Sequence, residues 1–282
     1  MLFGICLLSI VPMRAEPRDT SELVSQVIYG ESFKIIEERS NWSLIKLTFD
    51  GYKGWIDNKQ LIKIDKPTYE SIISKNNIFS SDLIEFIQLK EKGLLTIPIG
   101  SNLKNLELFD HHFDGDTISS ILPKENIIKL SLLLLNSPYL WGGKTPFGID
   151  CSGFTQLIYK LNGYQIDRDA KDQAKLGQVL SFIQECEPGD LAFFDNKEGD
   201  IVHVGIIMKD NHIIHAHGHV RIDRLDQTGI YNVDTKKLID VLKSSSLKKT
   251  LEVSIMILSD DIKKLKSLFI LFILIIFLLK NF

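Results

Sequence analysis

The chain has only three cysteines in 282 residues, Cys6, Cys151 and Cys186. Such a set cannot close a disulfide framework; it fits a reducing compartment or isolated thiols, and the odd count directs attention to one functional thiol. Charge of one sign is not in excess either. The 33 basic and 36 acidic residues give a formal net charge of −3, and no long basic run occurs. That leaves a nucleic-acid partner without electrostatic support and a basic membrane-binding patch with little. Nor does any apolar run reach the roughly twenty residues that cross a bilayer comfortably. What is present is a hydrophobic content of 44%, enough for two or three small domains, each with its own core.

Both ends are apolar. Met1 to Met13 reads as a short signal peptide or as a first strand, Ile5 to Arg14, entering a Pro/Asp turn. No basic residue precedes the run, and Pro12-Met13-Arg14-Ala15 is a poor cleavage context, which favours the strand. At the other end, Ser267 to Leu279 is uncharged and apolar, flanked by Lys263, Lys264, Lys266 and Lys280. It is short for a span and too apolar for a solvated tail. The readings open to it are a place in the membrane interface, a span with local thinning, or packing on the protein.

Residues 1–65 read as short strands: Ile5–Met13, Val24–Tyr29, Ser32–Glu38, Trp42–Thr48 and Tyr52–Ile56, separated by turn residues. That spacing predicts a small barrel. Residues 66–122 are less regular. Ser80–Lys92 is expected to be helical, and Leu94–Ile99 and Leu103–Phe109 to be strands. His111, His112, Asp114 and Asp116 fall in a polar turn, either solvated or metal-binding. The region reads as a second, degenerate module of the first kind or as a linker. Residues 123–258 carry the chemistry, and 259–282 form the apolar tail. A helix over Glu125–Leu135 precedes one starting near Cys151 and ending before Gly163. Strands follow over Asp190–Phe194, Ile201–Met208, His212–His217 and Val220–Leu225. A Cys-bearing helix followed by a His-bearing antiparallel sheet is an α+β arrangement.

Cys151 begins a helix after a Pro/Gly loop. The unpaired N–H groups there favour a thiolate, and Ser152 and Gly153 are small enough for a substrate carbonyl to approach the backbone. A buried structural thiol is the competing reading. Cys6 sits in an apolar strand and Cys186 between two glutamates, settings that disfavour thiolate. His203 interrupts the apolar run Ile201-Val202-His203-Val204-Gly205-Ile206, where an imidazole needs a polar partner. A turn centred near 209–210 makes paired residue numbers add to between 418 and 420, so His203 and His215 are expected as direct or near cross-strand neighbours. That is a nucleophile–base–orienter set. A metal site at His215, His217 and His219 is the rival, weakened by Gly218 and by the lack of a suitably spaced Glu.

The stretches YLWGGKTPFGIDCSGF, PGDLAFFD, HVGI and IIHAHGHVRID resemble the NlpC-type cell-wall cysteine peptidases, which have a papain-like core. QVIYGESFKII and DGYKGWID resemble a bacterial SH3-like domain, as found in family members that act as γ-D-glutamyl–diamino acid endopeptidases; a generic small β-domain is the alternative. The resemblance implies Cys151 as nucleophile, His203 as base and His215 as the orienting third residue. It further implies that Tyr139, Trp141, Asp150 and Ser152 line the substrate cleft, with Asp150 holding the free amine of an L-Ala. Tyr52 and Glu22 are assigned to the SH3-like wall that closes one end. The implied substrate is a murein peptide such as L-Ala-γ-D-Glu-diamino acid, cut without metal or organic cofactor, and no nucleic acid is involved. The C-terminal tail is a candidate membrane contact. The implied setting is bacterial, cytoplasmic or membrane-associated, with export left open. Two departures stand out: Ala170 occupies a position where similar enzymes often have Ser, and SSSLKKTLEV runs on into the tail. A non-catalytic wall-peptide binder and an amidase or acyltransferase on the same fold are the competing functions.

Overall fold

The computed structural model describes residues 2–91, 93–180, 183–226, 229–239 and 243–249. The apolar run expected at the C-terminus lies outside the described residues. Among the described residues, seven antiparallel strands make the first unit: Leu2–Ile5 (β1), Ile10–Arg14 (β2), Leu23–Ile28 (β3), Ser32–Glu38 (β4), Trp42–Leu47 (β5), Lys53–Asp57 (β6) and Ile62–Ile64 (β7). Their order is β3-β2-β6-β5-β4-β1-β7. Alternate residues point inward, as period-two patterning requires. Val11, Met13, Val27, Phe33, Ile45 and Ile56 are buried in one cluster, each worth roughly 1.5–3 kcal/mol of burial. The single strand expected over Ile5–Met13 is two strands. Cys6 leaves β1 to exchange backbone bonds with the β3–β4 turn, its N–H donating to Glu31 O and its carbonyl accepting from Gly30 N–H. An unbroken apolar run has no period that could have marked this bend.

The middle of the chain opens with a helix over Lys66–Ser74 (α1), capped by Asp65, which accepts from the Thr68 N–H. The helix expected over Ser80–Lys92 is not there. Phe79–Ser80 (β8) and Ile84–Leu89 (β9) are strands, and β9 pairs with Gly93–Pro98 (β10) and His111–Phe113 (β11). β-Branched and aromatic residues at Ile84, Phe86 and Ile87 suit a pleated surface, and Gly93, with φ of 82°, supplies the left-handed residue of the hairpin turn. The strand expected over Leu103–Phe109 is instead a 3-10 turn at Leu106–Phe109. Leu103 and Leu106, three apart, both turn toward the Tyr29–Ile87 cluster, a helical rather than an extended spacing. His111 Nδ1 lies 2.6 Å from Tyr29 Oη, and His112 Nε2 lies 2.7 Å from Asp114 Oδ1. Thr117–Ile118 (β12) pairs with β8.

The last unit begins with Glu125–Leu133 (α2), then Lys144–Thr145 (β13), Gly148–Ile149 (β14), Cys151–Leu161 (α3) and Ala170–Gln173 (α4). Strands follow at Gln178–Leu180 (β15), Leu191–Asp195 (β16), Ile201–Met208 (β17), His212–His217 (β18), His219–Asp226 (β19), Gly229–Asn232 (β20), Lys237–Leu238 (β21) and Lys243–Lys249 (β22). Among the described residues they form one sheet in the order β15-β22-β16-β17-β18-β19-β20-β21. The apolar face of α3 packs on this sheet, with Phe154 and Ile158 against Val204, Ile206 and Ile214. The expected α+β arrangement is present.

Every residue of α3 is buried, polar ones included. Its second face looks not to water but to the barrel, where its polar side chains find partners. Gln156 donates to Asp50 at 2.9 Å, and Lys160 reaches Glu31 at 3.1 Å. Lys144 joins the same carboxylate at 3.2 Å, and the Lys160 ammonium also sits 5.0 and 4.8 Å from the Phe49 and Phe79 ring centres. Burial would push the Glu31 carboxyl up, but the two ammoniums outweigh it and hold it at about 2. Gly142 brings the β13 approach onto the barrel backbone: its φ is 77°, and a Cβ there would lie 2.4 Å from Leu23 O.

Candidate active site

A cavity of about 400 Å³ lies between the barrel and the C-terminal unit. Glu22, Val24 and Tyr52 come from the barrel; Tyr139, Trp141, Asp150, Cys151 and Ser152 come from the start of α3 and its approach. Arg168, Asp169, Ala170 and Lys171 add a third wall, and Ile201 and Val202 a fourth. Every residue expected to contact substrate therefore meets in one cleft. Two hydrogen bonds tie its walls across the units: Trp141 Nε1 donates to Glu22 at 2.7 Å, and Tyr52 Oη donates to Asp169 at 3.2 Å.

Cys151 opens α3. Asp150 is its N-cap, accepting from the Gly153 N–H at 2.6 Å, while the Asp150 carbonyl accepts from Phe154 N–H. The thiol is buried, and burial, followed by the neighbouring Asp150 charge, pushes it up to about 12. The preference for thiolate expected from a helix N-terminus is thus outweighed by desolvation, and the resting sulfur is protonated. Burial likewise raises Cys6 to about 12, and burial with nearby carboxylates raises Cys186 to about 11.

The sulfur meets β17 through a hydrogen bond with the Val204 backbone, next in sequence to His203. His203 Nε2 lies 2.8 Å from His215 Nδ1, the rings edge to face at 5.1 Å. β17 and β18 pair with a constant sum of 420, Ile206 opposite Ile214 and Met208 opposite His212. His215 therefore faces Gly205, and His203 meets it on the diagonal. The missing side chain is required, since a Cβ on Gly205 would lie 2.9 Å from His215 Cβ. Burial first, then His215 and His217, holds His203 well below the usual histidine range, so its ring is neutral at neutral pH.

Two charged networks were not anticipated. Arg168 is buried and forks onto Asp150, with Nη2 to Oδ2 at 2.7 Å and Nη1 to Oδ1 at 3.0 Å; Nη1 also reaches Ser152 Oγ, and Nε reaches Ser25 Oγ. With Gly142 N–H donating as well, both oxygens of Asp150 are occupied. Asp150 lines the cleft, but its visible work is to cap α3 and neutralise Arg168 rather than to await an amine. The second network continues past His215: His215 Nε2 lies 3.1 Å from Asp223 Oδ2, and Asp223 is fully buried on β19. Arg221 and the Val233 N–H also donate to it. Burial would raise the Asp223 carboxyl, but these hydrogen bonds hold it well below the usual carboxylate range.

The comparisons with known proteins point the same way. A model of the NlpC/P60 family matches residues 136–238, and one described as a bacterial dipeptidyl-peptidase Sh3 domain matches residues 13–61. A γ-D-glutamyl-L-lysine dipeptidyl-peptidase of Bacillus subtilis is 34% identical over 213 residues, covering 68% of this chain and 71% of that one. Dipeptidyl-peptidase 6 of Lysinibacillus sphaericus is 27% identical over 280 residues, covering 86% and 98%. In fold, an NlpC/P60 family protein from Bacillus cereus superposes with a TM-score of 0.71 at 19% identity, covering 88% of this chain and 99% of that one.

Proposed function

Since this chain belongs to the NlpC/P60 family, and is thereby a cysteine peptidase of cell-wall peptides, we propose that it cuts the γ-D-glutamyl–diamino acid bond of short murein peptides with a free N-terminal L-Ala. Cys151 is the nucleophile, His203 the base and His215 the residue that orients it. The observation that carries the reading is the barrel wall. Glu22, Val24 and Tyr52 bound the cleft near the thiol, so its roughly 400 Å³ stays at the small-ligand end of pocket sizes. That favours released peptides over intact wall.

The charge of the cleft supports the same substrate. Glu22 and Asp169 offer carboxylates to the amine, with Tyr52 Oη bonded to the latter. Lys171 offers a cation to the α-carboxylate that a γ-linked D-Glu leaves free. Asp150 contributes indirectly, through Arg168 and the helix start. Ala170 removes the hydroxyl that similar enzymes often place here. In the reaction, the thiol proton passes to His203 as sulfur attacks the γ-carbonyl. The Cys151 and Ser152 N–H groups at the first turn of α3, the latter bonded to the sulfur at rest, turn to receive the oxyanion. His203 then protonates the departing amine, and water, deprotonated by His203, hydrolyses the thioester.

The test compares L-Ala-γ-D-Glu-diamino acid peptide, its N-acetyl form and whole sacculi. One charge-assisted hydrogen bond is worth about 1.5–3 kcal/mol, or roughly tenfold to a hundredfold, so acetylation is expected to lower kcat/KM by at least about tenfold. Equal cleavage of acetylated peptide or sacculi would replace this reading with a wall-cleaving one.

A further inference from the structure

The hydrogen-bonded chain behind the thiol does not stop at the third residue. We propose that Asp223 is a positioning residue that sets the proton pattern of both histidines, leaving His203 Nδ1 as the bare, basic nitrogen. The inference rests on the assignment of Cys151 and His203 made above. An ionised carboxylate can only accept. Its neighbour at 3.1 Å, His215 Nε2, must therefore carry a hydrogen and donate. A neutral His215 protonated on Nε2 has a bare Nδ1, which can only accept. The atom 2.8 Å away, His203 Nε2, must then be the donor. A neutral His203 protonated on Nε2 has one basic nitrogen left, Nδ1. Each hydrogen bond dictates the next, and the sequence begins at Asp223 because it alone in the chain has no tautomer to choose.

The surroundings fit a fixed acceptor. Arg221 holds the carboxylate in a fork, Nε to Oδ2 at 2.7 Å and Nη2 to Oδ1 at 3.0 Å, and Val233 N–H adds a bond at 3.0 Å. Arg221 is itself held by Asp234 at 2.8 Å. The carboxylate, fully buried, stays ionised through these donors, and it can neither rotate nor exchange with water. When the thiol proton moves to His203 Nδ1, the ring becomes an imidazolium whose Nε2–H still donates to His215. No proton leaves His215 or reaches Asp223; their dipole and charge stabilise the cation through the chain.

The experiment substitutes Asp223→Asn in the full chain. With its oxygen kept on Val233 N–H and Arg221 Nη2, the amide gives up the Arg221 Nε bond and presents N–H to His215 Nε2, so every proton in the chain reverses and His203 becomes protonated on Nδ1. Three readouts are taken: histidine tautomers by 15N NMR, the rate at which iodoacetamide alkylates Cys151, and kcat/KM on the tripeptide. In the serine-protease triad a wrong tautomer costs about 10⁴-fold; one residue further back, at least a hundredfold loss in kcat/KM is expected, with a parallel loss in alkylation rate. Wild-type His203 should show its proton on Nε2, which tests the assignment even if the variant does not fold. A wild-type proton on Nδ1 overturns the proposal, as does a D223N enzyme whose activity falls with the tautomer unchanged or whose activity stays within threefold. Alkylation and NMR need no peptide, so an error in the substrate assignment shows separately, as normal tautomers and alkylation with no cleavage.

Discussion

Glu31 is the place where the fastening of the barrel to α3 can be measured. Glu31→Gln leaves the Lys144 and Lys160 ammoniums buried against a neutral amide. Holding the carboxyl at about 2 instead of 4.5 corresponds to about 3 kcal/mol of stability at neutral pH. Breaking a buried ion pair by removing one partner costs about 3–5 kcal/mol. Two routes thus agree on about 3 kcal/mol, equivalent to a fall in melting temperature of roughly 6–12 °C for a chain of this size. Lys160, already lowered by burial, sheds its proton more readily in the variant, which limits the loss. The sign in acid is distinctive. A depressed carboxyl stabilises fully above its unfolded value and loses that contribution as pH falls from 4.5 toward 2. Urea denaturation of both proteins at pH 7, 5 and 3 should show the gap between them narrowing by about 2 kcal/mol between pH 5 and 3. A gap below about 1 kcal/mol at pH 7, or one equally wide at pH 3, would refute the account of the trio.

Cys151→Ala should abolish hydrolysis while leaving the thermal transition close to wild type, and iodoacetamide should label Cys151 ahead of Cys6 and Cys186; equal labelling of all three contradicts the nucleophile assignment. His203 must be neutral to accept the thiol proton, and its value is lowered by burial and by His215 and His217. The acid limb of kcat/KM should therefore lie below pH 6.5, and a midpoint at or above 6.5 argues against a buried base. The same lowering means the unfolded ring binds protons more readily, so folding stability falls as pH drops below 6.5 toward the folded value. Gly205→Ala forces a methyl into His215 Cβ and Ile213 Cδ1, at a cost of about 1–3 kcal/mol and a drop in kcat larger than in the affinity for substrate; unchanged kcat would show that the histidine pair tolerates displacement.

How much of this could be read from the residues alone depends on distance along the chain. The hairpin arithmetic brought His203 to His215 because both lie within one turn of Lys209-Asp210. Applied once more around Gly218, the same arithmetic gives a sum of 436, matching the observed pairs Ile213–Asp223 and His215–Arg221, and would have placed Asp223 diagonally beside His215. An acid two residues before Leu225, on the same face of an alternating strand, was the signal. Arg168 gave no comparable sign. Its pairing with Asp150 joins segments with no shared period, and the family resemblance assigns Asp150 to the substrate instead. Around Ser80–Lys92 the charges at Asp82, Glu85 and Lys90 suggest a helix, but pairing with β10 and β11 decides the backbone. The helix start at Cys151 after its Gly/Pro loop was legible in the residues themselves; the lining of the cleft, Tyr139, Trp141, Asp150 and Ser152 as well as its barrel wall, was placed by likeness rather than by any periodicity.

A helix with no face turned to solvent has a consequence for how such a molecule is assembled. α3 is not expected to be a stable early structure, because the Lys160 ammonium and one bond of Gln156 are satisfied by Glu31 and Asp50 of the barrel. Those partners are made first on the ribosome, so the barrel stands ready as a mould when the nucleophile-bearing segment emerges. Severing the two units should therefore not release an independent peptidase and an independent barrel. The break would leave Lys160 and Lys144 without their shared carboxylate and Gln156 with one acceptor fewer, and the chemistry of the thiol would be lost along with the scaffold that keeps its helix in register. Recombining this barrel with another peptidase would require carrying over the acid at position 31 and the two lysines as a set.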